Sequence, residues 1–277
     1  MRAGLVQLTA SDDPEANLPA TEALIRKAAA GGAQLVLTPE VTNIVTSDAD
    51  RRRALLRLEQ DDPTLARLRA VAAELEIWLL IGSLALRTGD PDGRFANRSL
   101  LIDAQGAIRA RYDKIHMFDV DVSETETWRE SAAFRPGDRA VLAPTPWCGL
   151  GMTICYDLRF PALHRALAQA GASILTVPAA FTPPTGEAHW EVLLRARAVE
   201  TGCFVLAPAQ CGAHPRADGG APRRTWGHSL AVAPWGEVLA DGREAPGATL
   251  VDLDLSQVEA ARRRIPALRH DRDFTGP

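Results

Sequence analysis

Apolar positions along the chain follow two rhythms, and the rhythms alternate. Residues 3–8 (Ala-Gly-Leu-Val-Gln-Leu) read as a strand, whereas Asn17–Ala30 carries apolar residues at helical spacing and stops at Gly31-Gly32. Gln34–Thr38 is a short apolar strand closed by Pro39, and Pro63–Glu74 is a helix with proline in its first turn. Ile77–Ser83 is a near-continuous apolar run, the pattern of a strand covered on both faces. Asn97–Asp103 and Ile108–Asp113, joined through Ala-Gln-Gly, predict a β-hairpin.

The alternation then returns. Leu150–Cys155, Ser173–Val177 and Cys203–Pro208 read as strands, separated by helices at Pro161–Ala170 and Glu187–Thr201. Strands at Ser229–Ala233, Glu237–Ala240 and Thr249–Asp254 complete the series. Such a series predicts an α/β layered fold. No linker, low-complexity tract or repeat interrupts it, so one domain is expected over residues 1–277. His214–Arg224, rich in Gly, Pro and Arg, predicts an exposed loop.

Composition narrows the choice of chemistry. Of 277 residues, 46% are hydrophobic and 24% charged, and the formal net charge is -4. Nothing there favours a polyanionic partner, so nucleic acid is not expected. The N-terminus reads as a strand and not as a signal peptide, and no apolar run approaches the roughly 20 residues of a membrane span. The four cysteines (Cys148, Cys155, Cys203, Cys211) form no CxxC pair. Free thiols in a reducing cytoplasm are expected, with no disulfide framework and no metal site.

Three predicted strand ends carry reactive side chains. Glu40 follows Leu35-Val-Leu-Thr-Pro39, where the fixed φ of proline limits its movement. Lys114 follows the second hairpin strand, in Ala110-Arg-Tyr-Asp-Lys-Ile-His-Met-Phe-Asp119. Cys155 ends the run Leu150-Gly-Met-Thr-Ile-Cys155, just before a polar turn and a helix, where α/β enzymes often place a nucleophile. Singly, each has a plain structural reading: a solvated loop glutamate, a surface lysine, an inert core thiol.

Together they are decisive. Thr38-Pro-Glu40, Tyr112-Asp-Lys-Ile-His116 and Ile154-Cys-Tyr-Asp-Leu-Arg-Phe-Pro161 resemble the three motifs of the nitrilase superfamily of carbon–nitrogen hydrolases. The resemblance continues through Gly186–Glu200, Trp226-Gly-His-Ser229 and Pro234–Gly242, and so spans the chain. It implies a four-layer αββα sandwich, a distinction that periodicity alone does not make.

The resemblance also implies the roles. Cys155 is the nucleophile, Glu40 the base, and Lys114 with the backbone N–H of Tyr156 the oxyanion donors. No cofactor is needed. Glu130 stands where the superfamily has a second glutamate, although Glu124 and Glu126 lie close in the same loop. Arg159 either binds a substrate carboxylate or pairs with Asp157 or a helix carboxylate. His116 and His189 read as packing or pocket-wall residues, Met117 and Phe118 as core, Arg195 and Arg197 as ion-pair partners, Cys203 and Cys211 as buried bystanders. Many members have a glutamate after Arg-Phe-Pro, where this chain has Ala162.

The implied partner is a small amide. The features nearest to this chain are those of amidases acting on deaminated glutathione, with ω-amidases of 2-oxoglutaramate and 2-oxosuccinamate next, and other amidases or carbamoylases behind. A non-catalytic binding protein is the reading from another class; retention of the whole Glu/Lys/Cys set speaks against it. A homodimer or larger homo-oligomer is expected, with the helix after Cys155 and the segment Arg262–His270 as contact regions.

Overall fold

The computed structural model describes residues 1–123 and 126–276. The N-terminal half begins with β1 (Arg2–Gln7), α1 (Pro14–Ala30), β2 (Leu35–Leu37), α2 (Ala49–Leu55), α3 (Pro63–Glu74), β3 (Trp78–Arg87), β4 (Phe95–Ile102) and β5 (Ile108–Asp113). A ribbon of β6 (Asp119–Ser123) and β7 (Glu126–Arg129) leads to β8 (Val141–Pro144), β9 (Gly149–Met152), α4 (Pro161–Gln169) and β10 (Ala172–Thr176). The chain continues as α5 (Pro183–Thr201), β11 (Phe204–Ala207), the ribbon β12 (Cys211–Ala213) with β13 (Arg224–Trp226), β14 (Leu230–Val232), β15 (Val238–Asp241), β16 (Gly247–Asp252) and α6 (Ser256–Arg264).

Helix starts follow local chemistry. Asp13 and Asp62 cap α1 and α3 by accepting the N–H of Glu15 and of Leu65, each with proline at the first helical position. α1 begins at Pro14, three residues before the start that periodicity predicts, because this cap rather than the apolar rhythm sets its origin.

Two six-stranded sheets form, in the orders β16-β1-β2-β3-β4-β5 and β15-β14-β11-β10-β9-β8. In the first, Leu5, Leu35, Leu37, Leu80 and Leu101 face a shared core with Leu150, Met152 and Leu175 of the second. The alternate residues Val6, Val36, Leu79, Ile81 and Leu100 pack on the opposite face against Ile25 of α1 and Leu65, Leu68 and Val71 of α3. Side chains of α4 and α5, including Leu167, Trp190 and Leu194, bury against the second sheet. The period-two split thus builds the expected four-layer αββα sandwich.

β1, β2 and β3 run parallel, as do β9, β10 and β11. The loops after β2, β5, β9 and β10 converge at the carboxyl ends of these strands, where open α/β sheets place their ligands.

Candidate active site

The strand carrying the thiol is shorter than the sequence predicts. β9 ends at Met152, and Cys155 opens a short 3₁₀ turn over Cys155–Arg159. Two hydrogen bonds pull the chain off the ladder: the Ile154 N–H donates to Asp157 at 2.9 Å, and the Cys155 N–H donates to the Pro178 carbonyl at 2.9 Å. Cys155 is left with a φ of 51°, a left-handed conformation rare outside glycine. Its thiol is held at the cavity floor, 7% exposed, beside the Glu40 carboxylate.

Glu40 is positioned by the close approach of β2 and β3. A Cβ at Gly82 would lie 1.9 Å from the Thr38 carbonyl oxygen, so only glycine lets the two strand ends meet there. The Ser83 hydroxyl accepts the Val41 N–H at 2.8 Å, and Gln210 donates to the Glu40 carbonyl at 3.0 Å.

Lys114 is almost wholly enclosed. Its Nζ donates to Glu40 Oε1 at 2.9 Å and to both oxygens of Glu130 at 3.0 and 2.8 Å. Glu130 also accepts the Phe118 N–H at 2.7 Å. Glu130 thus meets Lys114, as the resemblance implies; Glu124 lies outside the described residues.

Asn97 completes the cluster and escapes a sequence reading. Its Nδ2 donates to Glu40 at 2.9 Å and to Glu130 at 3.2 Å. In sequence it is only a lone amide in the strand Phe95-Ala-Asn-Arg-Ser-Leu-Leu-Ile102, and its burial beside Glu40 is what gives it a role. Asp157 is the other missed residue. It accepts from Tyr112 Oη at 2.6 Å, the His116 N–H at 3.0 Å and His116 Nδ1 at 2.7 Å, besides the Ile154 N–H.

These partners set the charges. Burial alone raises a carboxyl pKa, but the Lys114 ammonium, with hydrogen bonds from Lys114 and Asn97, holds Glu40 below its ordinary range. Burial works against the Lys114 charge, and Glu130 and Glu40 more than offset it, raising its pKa. Burial and then the Glu40 charge push the Cys155 thiol well up, against the opposing pull of Lys114. The resting site therefore holds a carboxylate, an ammonium and a neutral thiol.

A cavity of about 400 Å³ opens over the cluster, lined by Glu40, Lys114, Glu130 and Cys155 and walled by Phe118, Trp128, Tyr156 and Phe181. Its size lies within the roughly 300–1,000 Å³ usual for small-molecule sites. Phe118, expected in the core, is only half-buried because its main chain is drawn toward Glu130 and its ring stands edge-on to Tyr156. Met117 beside it is half-buried too.

Arg159 lines the cavity with its guanidinium 5.9 Å from the Tyr156 ring and 5.7 Å from that of Phe181. Among the described residues no carboxylate pairs with it, and Asp157, the partner considered from sequence, is committed elsewhere. Its neighbour is His189 Nδ1, 3.2 Å from Nη2. His116 stacks on Phe160 at 3.5 Å. Arg195 pairs with Glu191 and Arg197 with Glu200, Cys203 and Cys211 are buried, and Ala162 lies exposed at the start of α4. Among the described residues, no group of three or more His, Cys, Asp or Glu side chains is arranged to hold a metal ion.

Layers and site together define a class: an αββα hydrolase in which a thiol, a carboxylate and an ammonium meet at the strand ends. The chain belongs to the carbon–nitrogen hydrolase family, whose profile matches residues 2–263. It is 42% identical over 269 residues to the deaminated glutathione amidase of Yersinia enterocolitica, covering 97% of this chain and 92% of the relative. The NitFhit protein of C. elegans superposes with a TM-score of 0.88 at 34% identity, over 98% of this chain and 65% of that one. A glutamate-to-glutamine variant of the amidase from Nesterenkonia sp. AN1, with acrylamide added at its active-site cysteine, superposes at 0.77 with 30% identity, over 96% of this chain and 98% of that one.

Proposed function

We propose that this protein is an amidase that splits deaminated glutathione into 2-oxoglutarate and cysteinylglycine through a thioester on Cys155, with residues 1–277 acting as one domain. One observation carries the mechanism: Lys114 bridges Glu40 and Glu130 at the floor of the cavity that the Cys155 thiol also lines, beside Glu40. The likeness to the Yersinia enterocolitica amidase supports the choice of substrate.

Glu40 takes the proton of the thiol as sulfur attacks the amide carbon. One contact to Glu130 suffices to hold Lys114, so its remaining N–H turns to the developing oxyanion. The N–H groups either side of Tyr156 are committed, that of Cys155 to Pro178 and that of Asp157 to Ile154, and the Tyr156 N–H supplies the second donor. Glu40 returns the proton to the leaving amine, and a thioester remains. Glu40 then deprotonates a water, which attacks the thioester; collapse releases the carboxylic acid, and the sulfur regains its proton from Glu40. Glu130 and Asn97 act by positioning Lys114 and Glu40. Arg159 binds the carboxylate on the acyl side.

The four unpaired cysteines support a reducing cytoplasm, and among the described residues no helix is long and apolar enough to cross a membrane. Exposed Val192 and Val199 on α5, with Ile265 beyond α6, support association of copies of this chain, to be checked by sedimentation of a Val192→Glu, Val199→Glu variant.

Turnover of deaminated glutathione measured beside 2-oxoglutaramate tests the function. The larger amide should be the better substrate, and Cys155→Ala should abolish both activities. Equal or better turnover of 2-oxoglutaramate assigns the chain to the ω-amidase reading. Activity surviving in Cys155→Ala removes the thioester. A Cys155 no more reactive to iodoacetamide than Cys203 or Cys211 would leave a binding protein.

A further inference from the structure

Three more arginines line the cavity: Arg129, which pairs with Asp121, and two that the catalytic cluster does not use. Arg52 is on α2, and Arg223 is on the segment 214–224 just before β13. Each spends one terminal nitrogen on a backbone carbonyl: Arg52 Nη1 on Thr46 at 2.9 Å and Arg223 Nη2 on Ala180 at 2.8 Å. Each has a buried Nε with no hydrogen-bond partner. Among the described residues neither forms an ion pair. The Arg223 guanidinium lies 4.8 Å from the centroid of the Trp128 ring, which also lines the cavity.

The segments bearing these arginines are fastened to each other. Buried Asp12 accepts the Ala217 N–H at 3.1 Å and pairs with Arg51 Nε at 2.8 Å, and its own N–H donates to the Pro215 carbonyl at 3.2 Å. Arg51 is the neighbour of Arg52, so α2 and segment 214–224 are joined outside the sheet ends. The loop expected to be merely exposed thus has a buried root, with His214 1% exposed.

The lining charges do not balance. Lys114 is matched by Glu40 and Glu130, and Arg129 pairs with Asp121, whereas Arg52, Arg159 and Arg223 have no carboxylate partner among the described residues. Half-buried guanidiniums with open donors are a demand for anions. Arg159, next to the nucleophile turn, takes the acyl-side carboxylate in the reading above. We infer that Arg52 and Arg223 form a second anion subsite that binds a carboxylate on the leaving amine. The substrate class is then an amide whose nitrogen belongs to an amino acid or short peptide with a free C-terminus, not one that releases ammonia. This deepens the proposed function and rests on it for the place of Arg159.

The experiment uses one 2-oxoglutaryl dipeptide amide in two forms, ending in a carboxylate or in a carboxamide. The full-length protein should prefer the carboxylate form by about tenfold or more in kcat/KM, the usual effect of a charge-assisted fork. Arg223→Gln and Arg52→Gln should each cut that ratio severalfold, and the double variant should bring it near unity. No preference in the parent protein, a ratio that survives the double variant, or equal losses on both forms would overturn the subsite. If the parent protein splits neither form, the proposed function fails on its own. The same ratio, read as Kd by calorimetry on Cys155→Ala, then decides the subsite: a carboxylate preference lost in the arginine variants upholds it, and equal binding or none overturns it.

Discussion

Asp157 accepts a 2.6 Å hydrogen bond from Tyr112, and that contact bolts the turn of the nucleophile to the strand that ends just before Lys114. The same carboxylate holds the N–H of Ile154, one residue before Cys155, and the N–H of His116, two residues after Lys114. Burial and then the Asp157 charge raise the pKa of Tyr112, so its hydroxyl stays a donor. Thiol and ammonium are registered through one fully buried side chain that touches neither.

Asp157→Ala should therefore lower stability and activity together. Removing a buried acceptor of several hydrogen bonds leaves donors without partners, at about 1–3 kcal/mol each. A loss of at least about 3 kcal/mol in urea unfolding is expected, with kcat reduced more than KM is changed. A loss under about 1 kcal/mol would mean that the turn stands without Asp157.

The acid limb of kcat/KM should lie below the ordinary glutamate range, because Glu40 must be ionised to act and Lys114 keeps its pKa low. The thiol, pushed up by burial and by Glu40, stays protonated through neutrality. The profile should be flat across about pH 6 to 8 with a substrate whose own groups do not titrate there. An inflection between about pH 6 and 7, the histidine range, would take proton transfer away from Glu40.

Gly82→Ala should damage the site from behind. The added methyl would meet the backbone oxygens of Thr38 at 1.9 Å and Pro39 at 2.5 Å, neither of which yields easily. A loss of about 3 kcal/mol or more, or a displaced Glu40 with kcat down about a hundredfold, is expected from unfolding and kinetic measurements. Native stability combined with native kcat would show that the strands can part there.

Stability should fall on mild acidification. Burial holds His164 and His214 at about 4, below the ordinary histidine value of 6.5. Above 6.5 both states carry neutral rings and nothing changes. Between 6.5 and about 4 the unfolded chain takes up protons that the folded one refuses, so each histidine lowers stability by about 1.4 kcal/mol per pH unit. Below about 4 their contribution is constant. His164→Leu, which also removes an unpartnered buried Nε2, should flatten the pH dependence of the urea midpoint by one histidine's share. An unchanged slope would exclude His164 as an acid-sensitive group.

The layers were legible because their residues obey one period each. Leu35, Val36 and Leu37 state a strand covered on both sides, and β5 occupies the predicted Ile108–Asp113. The motif residues Glu40, Lys114, Cys155 and Glu130 were legible through resemblance, and the structure gathers them in one cluster. Asn97 was not, since a lone amide in a strand has no local signature, and its meaning arises only when β4 brings it beside Glu40. The short helix α2 and the root of segment 214–224 were also hidden. Both depend on Asp12, whose partners lie 39 and 205 residues away.

That distance has an evolutionary consequence. The reacting groups stand on strand ends, while Arg52 and Arg223 hang on segments that Asp12 ties together. A descendant lineage, or an engineer, can transplant α2 and segment 214–224 as a pair and change which amine departs while the cleavage chemistry is inherited intact. Transplanting one without the other strands Asp12 as a buried carboxylate with half its partners, so the two segments are bound to change together.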